Sequence, residues 1–370
     1  MADLTSSLSF LTENPAMAVI NDAYTSFSER RAQLNLPNPG TVDNIAREVQ
    51  KEVLLSNFMF SGLRADLTKV FGMSPLFRVS HAFSMGSSGN LPPYAFSAMY
   101  GSPKVFMQGN LGSDGTLSAV YNWRWTPSLV TKTNAQIMPG ATQGLMQIDN
   151  DYTGKDFSAS LKAFNPSFLE GGLTGIFVGS YLQSITPSLA LGFEAIWQRQ
   201  GLNTRPETAL SYCAKYKGDD WIGTAQLQAQ GTFAATYWRK LSERVEAGVD
   251  MNLQFAPNAA AMMMGGPSRD GTTAIGAKYD FRASSFRAQV DSAGKVSCLL
   301  EKRIAMPISL TFAGEIDQAK QTAKVGLAVS LEIAGEELME QQEKADAASI
   351  IPLPSNLLSM SEILTIPLES

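Results

Sequence analysis

The sequence predicts an all-β barrel that crosses a membrane with strands. Three observations carry that reading. Apolar and polar residues alternate with period two through most of the chain, which places one strand face in an apolar medium and the other in a polar one. The runs are long, near the roughly 9–11 residues that a tilted transmembrane strand needs. Aromatic residues gather near strand ends (Trp123, Trp125, Trp197, Tyr237 and Trp238), as interfacial girdles do. A water-soluble sandwich also alternates, but with strands of about five or six residues. No stretch approaches the ~18 consecutive apolar residues of a spanning helix.

Composition narrows the function. The chain has 370 residues, 29 Lys+Arg against 34 Asp+Glu, one His, two Cys, 44% apolar residues and 17% charged. Soluble domains carry about 25% charged residues, and here Gly, Ser, Thr, Asn and Gln fill the shortfall. A single His excludes His-rich metal sites. Cys213 and Cys298 lie too far apart in sequence for a zinc ribbon, and two cysteines make no disulfide framework. The net charge of −5 without a basic stripe argues against nucleic acid. No Walker loop, G-x-S-x-G or H-E-x-x-H occurs, so neither an enzyme nor a cofactor is expected. His81 reads as a wall residue. Asn165-Pro166-Ser167 is no glycosylation site, because Pro stands in the middle. The N-terminus has neither the apolar core of a secretory signal nor an Arg-rich presequence.

Three zones follow along the chain. Residues 1–59 form an arm with two helical patterns around the breaker at 34–40. The first opens at Asn14-Pro15, an N-cap followed by Pro at the first helical position, with a stripe of Ile20, Tyr24 and Phe27. The second runs over 41–57, with Asp43 in its first turn, where a carboxylate suits the helix dipole. Ile45, Val49 and Val53 form its apolar face. It would span about 25 Å at 1.5 Å per residue, nearly the thickness of a bilayer core, yet its charges forbid lipid contact. Residues 60–333 alternate, and at about 14 residues per strand and turn hold 19 or 20 strands. Residues 334–370 form an acidic tail with helical and flexible character.

The alternation is clearest at 244–255. There Val245, Ala247, Val249, Met251, Leu253 and Phe255 oppose Arg244, Glu246, Asp250, Asn252 and Gln254. It recurs from Leu117 to Trp125, from Leu189 to Gln198, from Phe286 to Asp291, from Ile308 to Asp317 and from Lys324 to Ile333. Turn signals such as Ser113-Asp114-Gly115 and Lys217-Gly218-Asp219 separate the runs. The segment 138–156 alternates poorly. Met262-Met263-Met264-Gly265-Gly266-Pro267 reads as a connection between strands.

Residues 60–87 (FSGLRADLTKVFGMSPLFRVSHAFSMGS), 164–201 and 277–303 resemble the mitochondrial porin superfamily, in the branch that forms the import channel of the outer-membrane translocase, in its fungal form. The similarity runs from Asn38-Pro39-Gly40 to about Ile333. Lys324, Gly326, Val329 and Leu331 match the sorting signal of mitochondrial barrels, polar-x-Gly-x-x-apolar-x-apolar. The resemblance implies 19 strands closed by a parallel first and last pair, with the 41–57 helix inside the lumen. It implies a channel that passes unfolded precursor proteins across the mitochondrial outer membrane, with both termini facing the intermembrane space. Implied partners are precursors with cationic targeting sequences, small single-helix subunits, a central receptor, further copies of the barrel and membrane lipid.

The polar strand faces then supply candidate contacts for targeting sequences: Glu194, Glu246, Asp250, Asp291, Glu301, Glu315 and Glu332. The plain alternative is that these carboxylates solvate the lumen and pair across strands with Arg244, Lys278, Arg282, Arg287, Lys295, Arg303 and Lys324. Ile45, Val49 and Val53 would dock the helix on the wall. A metabolite pore like the voltage-dependent anion channel is the rival reading. Its lumen would be basic, whereas this chain has a pI near 5.2, a balance that favours import.

Overall fold

The computed structural model describes residues 31, 34, 36–56 and 58–334, apart from 74, 87–91, 141–143, 168–171, 200, 202–203, 256–270 and 306. The helix expected at Asn14, the methionine run at 262–264 and the tail after Ala334 fall outside these residues.

Nineteen strands form one closed sheet. In chain order they are β1 Gly62–Met73, β2 Leu76–Met85, β3 Tyr94–Gly101, β4 Val105–Gly112, β5 Leu117–Thr126, β6 Leu129–Ile137 and β7 Leu145–Thr153. Then come β8 Phe157–Ser167, β9 Thr174–Ser184, β10 Leu189–Arg199, β11 Glu207–Lys217, β12 Trp221–Leu227 and β13 Thr232–Ser242. The last six are β14 Val245–Gln254, β15 Gly271–Asp280, β16 Ser284–Asp291, β17 Lys295–Ala305, β18 Ile308–Asp317 and β19 Thr322–Ala334. Consecutive strands pair antiparallel, and β1 pairs β19 in parallel, from Gly62 opposite Gly326 to Val70 opposite Ala334. An odd number of strands forces this, because the first and last then run the same way.

The pairing fixes two faces. Leu63, Leu67, Phe193, Ile275, Phe312 and Val325 stand exposed on the outside, where only lipid can cover so much apolar surface. Closure leaves no unpaired strand edge in the hydrocarbon. Aromatic pairs ring the mouth where β1 ends, among them Tyr216–Trp221 at 4.9 Å and Tyr279–Phe281 at 4.3 Å between centroids. Pro166 is tolerated inside β8 because the register shifts there between Phe164 and Ser167, with Asn165 at φ 44°, a bulge that needs no ladder donor. His81 lies on the outer face, its ring hydrogen-bonded to the Tyr94 hydroxyl at 2.8 Å.

The segment before β1 runs inside the barrel. Asn38 donates to the carbonyls of Gly154 (2.7 Å) and Phe157 (3.1 Å), at the β7–β8 turn. Ser184, at the β9–β10 turn, donates to the Pro37 carbonyl at 2.7 Å. From that mouth the chain crosses the lumen and leaves at the opposite one, where β1 begins at Gly62. β19 ends at the mouth where the segment enters. The two mouths are called here the arm mouth and the β1 mouth.

The expected helix at 41–57 is shorter and wound differently. A 3₁₀ turn covers Val42–Asn44 and a π-helical stretch covers Glu48–Val53, closed by Leu54 N–H donating to the Val49 carbonyl at 2.9 Å. Leu54 is extended, and a turn follows in which the Phe58 N–H donates to the Leu55 carbonyl at 2.9 Å. Ile45, Val49 and Val53 recur every fourth residue, a spacing between the roughly 3.6 residues of an α-turn and the wider turn of a π-helix, so the stripe permits either winding. The wide turn at 48–53 seats Val49 and Val53 together over Gly248.

Candidate functional site: the lumen and its internal segment

The internal segment is bolted to the wall by apolar contacts on one side and polar ones at its edges. Ile45, Val49 and Val53 are 2%, 2% and 0% exposed, and Leu54 and Leu55 are equally covered. Each such side chain contributes about 1.5–3 kcal/mol by burial. Val42 and Ile45 pack on Leu182, Ala190 and Cys213. Val49 and Val53 lie over Gly248, where an added Cβ would meet Val49 Cγ1 at 3.1 Å and Val53 Cβ at 3.5 Å. Gly276 has the same function for Leu54, whose Cδ2 would lie 2.8 Å from a Cβ there. Leu55 packs on Leu299 and Ala313.

Polar ties fix the register of this contact. Asp43 pairs with Lys162, and Glu48 with Lys215 at 3.5 Å. Gln50 donates to Asp250 at 3.1 Å, and the Leu55 N–H donates to Gln289 Oε1 at 2.6 Å. All of these partners lie on the β8–β18 side of the wall. The face of β2–β6 stands across the lumen, lined by Ser80, Ser97, Gln108, Asn110, Ser118, Asn134 and Gln136. Between the segment and β10–β12 is a cavity of about 260 Å³, bordered by Asp43, Gln50, Glu194, Ser211, Cys213 and Gln226.

By strand register, Glu194, Glu246, Asp250, Asp291, Glu301, Glu315 and Glu332 all point into the lumen. They do not form one patch. Glu194 and Asp250 flank the internal segment at mid-height. Asp291 and Glu315 lie toward the β1 mouth. Glu246, Glu301 and Glu332 lie toward the arm mouth, Glu246 opposite Lys240 and Lys278. Glu315 reaches Lys324 at 3.9 Å. Sequence reading missed Asp66, Asp149, Asp151, Glu207 and Asp280 on the same face. Asp317, read on the polar face of its run, joins them, as do Asp43 and Glu48 of the segment. Of the basic residues expected there, Arg244 and Arg282 sit in turns instead, because the strands beside them begin one and two residues later. Among the described residues, every strand carboxylate is on the lumen side. The outer face carries Lys69, Arg199, Arg239 and Lys302 but no acid.

The charge balance needs correction. Residues 335–370 hold seven carboxylates against Lys344, a net of −6. Taken from the chain's −5, this leaves +1 for residues 1–334, so the low pI says nothing about the lumen. Inside, strand cations nearly match strand acids, and they are sorted along the axis. Glu207, Asp291, Glu315 and Asp317 gather near the β1 mouth, whereas Arg78, Arg124, Lys215, Lys217, Lys240 and Arg303 gather near the arm mouth. A chain cut after Ala334 is therefore expected to keep the ion selectivity of the full protein, measured as a reversal potential across a salt gradient. A shift toward anions would assign selectivity to the tail.

A closed barrel of membrane-facing strands, a wet lumen and a segment parked inside it define a β-barrel channel. The chain belongs to the eukaryotic porin family, which it matches over residues 38–326. It is 55% identical to the mitochondrial import receptor subunit tom40 of Neurospora crassa over 346 residues, 93% of this chain and 97% of that one. It is 41% identical to the mitochondrial import receptor subunit TOM40 of Saccharomyces cerevisiae, over 91% of this chain and 89% of that one. The human homolog of the same name is 28% identical over 80% of this chain and 79% of that one.

Proposed function

We propose that this protein is the protein-conducting channel of the mitochondrial outer membrane, passing unfolded precursors with cationic targeting sequences through its lumen. The observation that supports this most directly is the sorting of charge: all strand acids face inward, and those at the β1 mouth outnumber the cations there. Such a mouth attracts a positively charged peptide by a focused field, while the wet wall spares an extended backbone the cost of lying in lipid. The internal segment and β19 share the arm mouth, which on this reading opens to the intermembrane space. Division into an arm (1–59), a barrel (60–333) and a tail (334–370) accords with it. Small single-helix subunits, a central receptor and further barrels would meet the lipid face. Lys324, Gly326, Val329 and Leu331 would serve as the signal read by the insertion machinery.

Single-channel current of the purified protein in a planar bilayer tests the proposal. A cationic amphipathic targeting peptide added at the β1-mouth side is expected to block the pore in a voltage-dependent way, more often than from the other side. A pore indifferent to the peptide and selective for anions would move the protein to metabolite exchange.

A further inference from the structure

The barrel closes at the parallel seam, and the lumen side of that seam is built around two glycines in register, Gly62 of β1 and Gly326 of β19. Gly62 is bound by its backbone: φ is +86°, and a Cβ would lie 2.5 Å from the Met85 carbonyl oxygen, so a side chain there is strained whatever its size. Gly326 has no such backbone demand. What fills its missing side chain is Phe60, the residue that leads the internal segment into β1. A Cβ on Gly326 would stand 2.5 Å from the Phe60 carbonyl oxygen and 2.8 Å from ring carbons Cδ2 and Cε2.

The wall continues the same seat. Gly326 is opposite Ala313, and Ala313 opposite Leu299. Leu55, Met59 and Phe60 pack along this row of small and apolar lumen residues. Two independent features thus meet at one point: the end of the docked segment and the parallel strand pair that closes the sheet. The glycine of the polar-x-Gly motif is the residue that lets them meet. A glycine needed only as a recognition mark would not require its missing side chain to be filled in the folded barrel.

We propose that Phe60 seated on Gly326 is a latch that holds the parallel seam closed and couples that closure to the docked internal segment. Packing inside proteins tolerates neither overlap nor void, so the two residues should respond to substitution as a pair.

The test uses full-length protein refolded into detergent micelles, without any insertion machinery, and follows heat-induced loss of the compact electrophoretic form. Gly326→Ala is expected to lower the midpoint by several degrees, and Phe60→Ala in the same chain to restore the part of the loss that the ring contacts cause, the contact with the backbone carbonyl remaining. The second readout is maleimide labelling of Met59→Cys in a chain carrying Cys213→Ser and Cys298→Ser. Phe60→Ala alone should raise the labelling rate about tenfold, the ratio set by ~1.4 kcal/mol of lost local protection. Gly326→Ala refolding as well as the wild type, a double variant no better than Gly326→Ala, or unchanged labelling in Phe60→Ala would each overturn the latch. The first of these, with failure confined to assembly in isolated mitochondria, would leave the glycine a recognition mark alone.

Discussion

Val49→Asp combined with Val53→Asp will release the internal segment from the wall and raise unit conductance, leaving the strand signal in circular dichroism unchanged. Both valines are essentially unexposed, so the exchange forfeits about 1.5–3 kcal/mol of burial at each site. It also places carboxylates against the bare backbone of Gly248 and Gly276, in a seat from which solvent is excluded. Several kcal/mol of desolvation are added in this way. The ties to Lys162, Lys215 and Asp250 involve partly exposed groups, and such pairs contribute about 0–1 kcal/mol each. They set where the segment lies, but cannot hold it against that loss. The nineteen strands do not depend on the segment for their hydrogen bonds, so the barrel should persist. Unaltered conductance in the double variant would show that the segment does not limit the passage.

The contrast between wall and segment explains what the sequence disclosed. A strand with lipid on one side and water on the other must alternate, so runs such as 245–254 and 308–317 could be read with their faces correctly assigned. The run at 138–156 resisted because polar residues stand on both of its faces. Gln147, Asp149 and Asp151 point inward, while Asn150 points outward, its Oδ1 accepting a hydrogen bond from the Thr131 hydroxyl at 2.8 Å. The stripe at Ile45, Val49 and Val53 identified the docking face but not the winding, since spacing by four fits an α- or a π-helix and only the line of Gly248 and Gly276 decides between them. The lumen charge was hidden for another reason: a whole-chain pI sums the tail with the barrel. Strand direction sorts acids from bases along the axis, and direction is a property of the closed sheet.

Neutralising the two carboxylates at mid-height should weaken peptide block more than neutralising two at the arm mouth. Glu194 borders the cavity beside the segment, and among the described residues no cation lies within ion-pair distance of it, Lys162 being engaged by Asp43. Asp250 is tied to an uncharged partner, Gln50. Both keep their charge available to a passing Lys or Arg. Glu301 and Glu332 lie nearer to the arm mouth, where Arg303, Lys240 and Lys217 dilute their field. Steering by a charged cleft changes association rates by about 10–10³. The Glu194→Gln, Asp250→Asn channel should therefore lose roughly tenfold in blocking on-rate at low salt, and Glu301→Gln, Glu332→Gln appreciably less. At physiological ionic strength the Debye length is about 8 Å, so the difference should shrink as salt rises, whereas a packing effect would not. Equal block in all three channels at low salt would mean that these carboxylates only keep the lumen wet. The passage of cationic sequences would then rest on the amide and hydroxyl groups of the β2–β6 wall.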